Sequence, residues 1–542
     1  MDAYSTSATS NGPVWSVSTD DGSSSHSVEQ GSAWPSLFEP QAIQINPDLL
    51  AKMPFFLDYY KNIMCPSMVF IDGPHNPFRD HILQLAATSQ SLRHAICALA
   101  ACNLRMKRKL SLGQHTRELS QGKDEAQPGD HSLSEEYQHR NVAVHLLNQQ
   151  LNDAANSSHD SVLATILLLC HYRMVESGIA KFHTQFAGVK KILSMRRAAH
   201  YTNSRDSAWM EALFTYFDAI SASINDREAQ LNSAFYGVMP DAQLLPPGAE
   251  NLVGCDRELF RTISKLGRLN LLSQHRPVMN VMPPSPLPRG VPSRSQSPLG
   301  SPLGHATFMK HPQPPSSHGN LNDFFSLPVN GGAFGGPGVG MPEDDELLAS
   351  PPVAAADNNS SFWREWKEAR QALQSWEFDA GRVAATLPGG SPSAQQMRDL
   401  GSLSEAFRYA ALLYTERLAA PHLPPSHAAF QDLVSQVVFY ATSLEPGSAA
   451  EKFLLWPLFV AGSECVNELQ QKIVRSKCRD IMARSGYMNN LAALDVLERL
   501  WAGDWKETEP RSPTRLSAMR RGPFNWTKCI GGLGAEVEWI MF

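Results

Sequence analysis

The sequence predicts an all-α protein, a large helical array or bundle interrupted by a disordered Pro/Gly/Ser-rich insertion. Three observations predict it. Over residues 46–275 and again over 361–505, apolar residues recur at spacings of three and four, the period of a helix face, and strand-like alternation is almost absent. Between them, residues 277–352 hold 16 of the 38 prolines, in runs such as MPPSPLPRGVPSRSQSPLGSPLG and GGAFGGPGVGMP. Proline removes backbone donors and glycine raises the entropy lost on folding, so this stretch reads as a flexible insertion. Finally, 42% apolar residues in a chain of 542 are enough to bury a large core, while a net charge of −6 argues against a globally basic, nucleic-acid-coating protein.

The elements follow in order. Residues 1–45 are Ser-, Gly- and polar-rich with isolated aromatics, and read as a disordered N-terminal tail. Helical spacing then marks Met53–Met64, Phe78–Ala87, Ser91–Arg108, Glu135–Leu151, Ser161–Glu176, Ala180–Arg197, Ser207–Ile224 and Arg257–Leu272, the first part of a helical domain, over 46–275. Pro54 suits a helix start, Asn76-Pro77 a turn before the Phe78 helix, and Ser89 or Ser91 an N-cap. The stretch Gly113–His131, centred on QGKDEAQPGD, reads as an exposed loop.

The insertion spans 276–360 and the second helical part 361–505. Its helices are FWREWKEARQALQSWEF after Ser361, then Leu403–Leu418, His427–Leu444, Glu451–Gly462, Ser463–Arg484 and Asn490–Trp501. Arg479 and Arg484 fall in the last turns of one helix, Gly486 at its C-cap, and Asn489 or Asn490 at the N-cap of the next. Residues 506–542 lack strong periodicity and stay unassigned.

Eight scattered cysteines, mostly in apolar surroundings such as AICALAAC around Cys97 and ATILLLCHY around Cys170, fit reduced, buried thiols better than a disulfide framework. The N-terminus lacks a basic segment followed by an apolar one, so no secretory signal is expected. The longest apolar stretches are about half of the roughly 20 residues that a membrane-spanning helix needs, so no membrane contact is expected.

Chemical signals are sparse. The glycines of 331–340 follow no strand, open no helix and lack a phosphate-gripping Lys, so low complexity is the better reading. His94 and Cys97 share a helix face and Cys170 adjoins His171, yet no cysteine pair has zinc spacing, which favours structural cysteines over a metal site. The run RMKRK at 105–109 suits the solvated C-terminal turn of the Ser91 helix better than a nuclear-import or phosphate patch, although the roles are compatible. Arg511, Arg515, Arg520, Arg521 and Lys528, with Trp526 nearby, form a looser basic tail for which loop solvation is the commoner explanation. The acidic-apolar Glu343–Leu348 reads as a solvated loop ahead of an activation-type segment, and the Ser-Pro pairs at 285–286, 297–298, 301–302 and 350–351 suit proline-directed phosphorylation. No catalytic, cofactor-binding, metal or DNA-binding residue emerges.

Three stretches carry a resemblance. FFLDYYKNIMCPSMVFIDGPHNPFRDHILQLAATSQSLRHAICALAACNL (55–104) places a tyrosine helix (Tyr59) before Cys65-Pro66, then Asn76-Pro77-Phe78-Arg79 and the Ala-rich helix from Ser89 to Ala101. LATILLLCHYRMVESGIAKFHTQFAGVKKIL (163–193) carries Glu176, Phe182-His183 and Gly188, and 456–501 runs from Trp-Pro-Leu-Phe-Val-Ala-Gly to Leu-Glu-Arg-Leu-Trp. Together they resemble the fungal-specific transcription factor domain that follows the zinc binuclear cluster in many fungal regulators.

The resemblance implies a nuclear, non-enzymatic, helical regulatory body that restrains activation, responds to effectors and contributes to homo- or heterodimers. Its expected partners are other transcription regulators or the transcription machinery. The six-cysteine cluster of DNA-binding members does not precede residue 46, and the first cysteine is Cys65. Zinc as a cofactor and direct DNA contact are therefore not carried over, and DNA is expected to be reached indirectly or through a further N-terminal module. The competing readings are an α-helical enzyme or ligand carrier with a dispersed site around His94, His171 and Glu176, and a cytoplasmic helical scaffold.

Overall fold

Two helices, rich in apolar residues, are buried on nearly every face and form the centre of the body. In the computed structural model, which describes residues 47–116, 130–153, 156–198, 207–279, 353–387, 392–503, 522–529 and 538–540, these are Asp160–Glu176 and Ala208–Ile224. Every residue from Ser161 to Val175, and from Met210 to Ile224, is buried. Against Asp160–Glu176 pack the long helices Gln90–Thr116 and Asp130–Asn152, the second running back along the first so that Gln150 meets Ser91 and Glu136 meets Arg105. Helix Leu455–Glu464, nearly as buried, holds the corresponding place among Ala394–Ala419, Ala428–Ser443 and Asn489–Ala502.

The two helical parts share one apolar core. Helix Leu266–Ser273 packs on Val353–Ser375 and Ala394–Ala419, and Glu468–Ser485 packs on Gln90–Thr116. One of their junctions is the turn after Ser485. Gly486 adopts φ +74°, the left-handed conformation that glycine tolerates best, and caps the helix as the sequence suggests. Asn103 donates to the Ser485 carbonyl (2.8 Å), and the Met488 amide donates to Val175 (3.2 Å).

Several boundaries differ from the sequence reading. The Met53 helix changes at Tyr60–Met64 into a wider π-turn, and Pro66, which lacks the amide to continue an α-ladder, sits in the short helix Cys65–Ser67 that follows. Helix Gln90–Thr116, with Ser89 Oγ accepting from Leu92 (3.4 Å), continues through Gly113, and its partner begins at Asp130, so both ends of the expected loop are helical. Ala180 is not helical: Ile179–Ala180 forms a strand, β1, ahead of helix Phe182–Ala198. The expected Arg257–Leu272 helix is two helices, Arg257–Ile263, capped by Asp256, and Leu266–Ser273. Glu451–Gly462 divides into a 3-10 turn, Ala449–Phe453, and a helix starting at Leu455, which places Pro457 in the first turn where its missing amide costs nothing. Asn467, not Ser463, opens Glu468–Ser485. Asn489 and Asn490 are helical rather than capping, with Asn489 reaching Ile540 O (3.4 Å) and Asn490 reaching Tyr487 O (3.1 Å). Helix Val353–Ser375 starts ahead of Ser361.

Part of the unassigned C-terminal stretch belongs to the core. Trp526 stacks on Phe524 (ring centroids 3.9 Å apart) beside Tyr414, and its indole donates to Ile224 O (3.3 Å). Glu538–Trp539, β2, pairs antiparallel with β1, Ile179 opposite Trp539 and Ala180 opposite Glu538. Asn225 clamps Trp539 from both sides, accepting from its amide (2.9 Å) and donating to its carbonyl (2.7 Å). Gly178, at φ +74°, is required there, because a Cβ would lie 2.9 Å from Asn489 Cα.

The N-terminal tail through residue 45, the insertion between 280 and 352, the glycines of 331–340, Glu343–Leu348, the four Ser-Pro pairs, and Arg511, Arg515, Arg520 and Arg521 lie outside the described residues. Among the described residues no helix is long and apolar enough to cross a membrane.

Candidate functional site

His94, His171 and Glu176, the polar groups on apolar helices, are held apart by the packing. His94 and His139 bring their Nδ1 atoms within 2.9 Å on the facing helices Gln90–Thr116 and Asp130–Asn152. One neutral ring must donate and the other accept, and neither Nε2 atom has a hydrogen-bond partner in the described structure. Burial, then Arg93, pushes the His94 pKa down to about 4; burial, then His94 itself, pushes that of His139 down to about 3. His171 lies instead between Phe78, Phe217 and Tyr487, with Nδ1 3.1 Å from the Tyr487 hydroxyl, and burial depresses its pKa to about 3. Each of these is a packed, neutral imidazole.

Glu176 belongs to an interhelical clamp that sequence spacing did not reveal. Glu136, fully buried, accepts from Arg105 Nε (2.6 Å) and Nη2 (2.9 Å). The Tyr172 hydroxyl lies 2.8 Å from Glu136 and 3.1 Å from Glu176, and its single proton serves one carboxylate at a time. Arg173 pairs with Glu176, and Arg140 Nη1 stands 3.9 Å away. Burial, then the two carboxylates, raises the Tyr172 pKa far above the ordinary phenol range. The set ties three helices together and leaves no nucleophile beside a base.

The basic run fares likewise. Helix Gln90–Thr116 extends past it, so RMKRK is not a last turn and the dipole explanation lapses. Arg105 is spent on Glu136 and Met106 is buried, which breaks up the run as a surface patch. Trp526 is buried under Tyr414 and offers no face to a partner. All eight cysteines are buried and none is in a disulfide: Cys97 faces the Met53 carbonyl (4.0 Å), and Cys170 donates to Gln185 (3.3 Å). Burial raises the thiol pKa of both to about 12, the opposite of an activated thiolate. Among the described residues no group of three or more His, Cys, Asp or Glu side chains could hold a metal.

A cleft of about 410 Å³ offers a different kind of site. One wall is the N-terminal stripe of helix Ala208–Ile224, where Ala208, Glu211, Ala212 and Thr215 recur at helical spacing; the other is formed by Tyr236, Leu245 and Arg257. Thr215 donates to the Glu211 carbonyl (2.8 Å), so the Tyr236 hydroxyl, 2.6 Å away, donates to Thr215. Arg197 lies over the Tyr236 ring, 4.6 Å from its centroid, and fixes that wall. Glu211 is only 9% exposed, and its Oε1 has no hydrogen-bond partner in the described structure; the same holds for Arg257 Nε. Burial raises the Glu211 pKa, against the opposing pull of Arg196 and Arg197. A second cleft, of about 290 Å³, surrounds Glu451, but Lys477 and Arg484 already satisfy that carboxylate and outweigh its burial, holding its pKa low. Sequence reading missed the Glu211 cleft because Leu245, Pro246 and Arg257 reach it from segments with no shared period.

Among the described residues, Arg105, Glu136, Tyr172 and Glu176 thus tie helices together, and Glu211 and Arg257 line an open cleft. In comparison with known proteins, the family model for the fungal specific transcription factor domain matches residues 55–537. The chain belongs to that family, which gives it a transcription-regulatory role. No curated protein and no solved structure matches it.

Proposed function

We propose that the chain acts in the nucleus as a non-catalytic regulatory body, controlling transcription through contacts with other regulators or the transcription machinery. DNA is reached indirectly, through a zinc-cluster partner or module, and zinc is not held by the helical body itself. A small-molecule effector adjusts those contacts by binding between helices. The observation that carries the reading is the family match over 55–537. The packing around His94, His171 and Glu176 supports a non-catalytic reading, because none of the three stands as a base beside a nucleophile.

The test maps chromatin occupancy of the tagged chain, together with its location, in cells with and without a candidate zinc-cluster partner. A nuclear pool whose occupancy disappears with the partner supports the reading. A purely cytoplasmic pool that captures no transcription regulator contradicts it and favours the scaffold.

A further inference from the structure

Helix Val353–Ser375 turns one side to the body and leaves a basic, aromatic side outward. Phe362, Ala369 and Leu373 are buried, and the Trp366 indole donates to Thr415 O (3.0 Å). Trp363 is 47% exposed, yet its ring is held edge-on against those of Phe362 and Trp366, with centroids 4.9 and 5.6 Å away. Arg364 follows it directly and Lys367 one helical turn on; both are exposed, and neither joins an ion pair among the described residues. The nearby charges are engaged elsewhere, Glu365 with Arg268 and Arg370 with Glu416. Glu368 is also exposed, so the unpaired cations on this side outnumber the acid. An exposed indole beside uncompensated cations suits an acidic segment that also carries apolar residues.

The chain carries such a segment close by in sequence, Glu343-Asp344-Asp345-Glu346-Leu347-Leu348, outside the described residues. Both ends of the insertion that contains it reach this helix. One end runs directly into Val353, and at the other Arg268 joins Met279 O (2.5 Å) to Glu365 (3.1 Å). We propose that residues 343–348 fold back onto the outer side of the helix, with Leu347 and Leu348 against Trp363 and the acidic run beside Arg364 and Lys367. The tether is long enough. Trp363 stands about 15 Å along the helix from Val353, and the five extended steps from Leu348 to Val353 span about 17 Å. From there the segment runs antiparallel to the helix. Glu346 then lies about 7 Å beyond Leu348 while Lys367 lies about 6 Å beyond Trp363, so leucine meets indole and carboxylate meets ammonium in one register. So short a tether holds the segment at a local concentration on the order of millimolar, which keeps even a weak contact occupied.

The test titrates a fluorescently labelled peptide of residues 341–350 with full chains and reads anisotropy. One chain has its own segment neutralised by Glu343→Gln, Asp344→Asn, Asp345→Asn, Glu346→Gln, Leu347→Ser and Leu348→Ser. The peptide is expected to bind this chain, and to bind the unaltered chain about tenfold more weakly because the face is already occupied. Adding Arg364→Glu and Lys367→Glu, both at exposed sites, to the neutralised chain is expected to weaken the peptide by about tenfold. A peptide with lysines in place of its four acids is expected to bind that charge-reversed chain, which also shows that the body is still folded. No binding to the neutralised chain, binding indifferent to the charge reversal, or a loss that the lysine peptide does not rescue overturns the proposal. Equal binding to the neutralised and unaltered chains overturns it too, because the face is then open to a partner's segment. A sedimentation mass unchanged by the six substitutions supports a contact within one chain; a mass that falls with them places the segment on a second copy and overturns it.

Discussion

Arg417 and Glu464 show what a single ion pair costs and contributes inside this body. They are 4% and 8% exposed at their side chains, join helix Ala394–Ala419 to Leu455–Glu464, and bond through Nε at 2.8 Å and also through Nη2. Removing one partner strands a buried charge, so Arg417→Met should lower unfolding free energy by about 3–5 kcal/mol. Adding Glu464→Leu should recover most of that loss, which urea unfolding of the single and double variants measures; a double variant as weak as the single one contradicts the account. His171 gives a pH dependence of known sign. Its folded pKa, about 3, lies below the ordinary 6.5, so between those values the unfolded chain binds a proton that the native chain refuses, and stability falls as pH falls. His171→Gln keeps a partner for Tyr487 and removes this term. The loss of stability from pH 6 to pH 4 should shrink by about 1.4 kcal/mol per pH unit, and an unchanged slope would show that His171 is not held neutral. At this scale the sequence was half legible. Buried thiols and histidines on apolar helices could be read from their neighbours, but their partners, His139 for His94 and Tyr487 for His171, lie far away in the chain and no local pattern names them.

Among the elements, the helices were legible because burying one face imposes a period on the sequence, and Asp160–Glu176 or Asn489–Ala502 could be drawn almost to their ends. Boundaries slipped at Pro66, at Pro457 and at the break between Ile263 and Leu266, where no apolar face marks the change. The C-terminal segment was illegible for another reason. Its anchors, Phe524, Trp526 and Trp539, are single aromatics entering gaps between helices, and so leave no repeat to detect. Their size nonetheless gives them weight. Trp526→Ala removes the stacking on Phe524, the contact with Tyr414 and the bond to Ile224, and should cost about 3–5 kcal/mol. Chemical unfolding of the full chain measures it, and an unchanged midpoint would mean that the segment is only draped on the surface.

For the whole molecule, the sequence conveyed an all-α body and, by resemblance, a transcription regulator; the family match over 55–537 established the latter. The cleft stayed hidden because a concavity is a property of assembled segments. The described helical parts share one core, with Asn103 against Ser485 and Val175 against Met488. The central claim is that this body regulates transcription once it is brought to DNA. Its most direct test fuses the full chain to an unrelated DNA-binding domain and reads a reporter carrying that domain's site. The account predicts output that departs severalfold, in either direction, from that of the DNA-binding domain alone, and that returns to it when Arg417→Met or Trp526→Ala unfolds the body. Output identical to the DNA-binding domain alone, from a fusion shown to be folded and bound at the site, would contradict it.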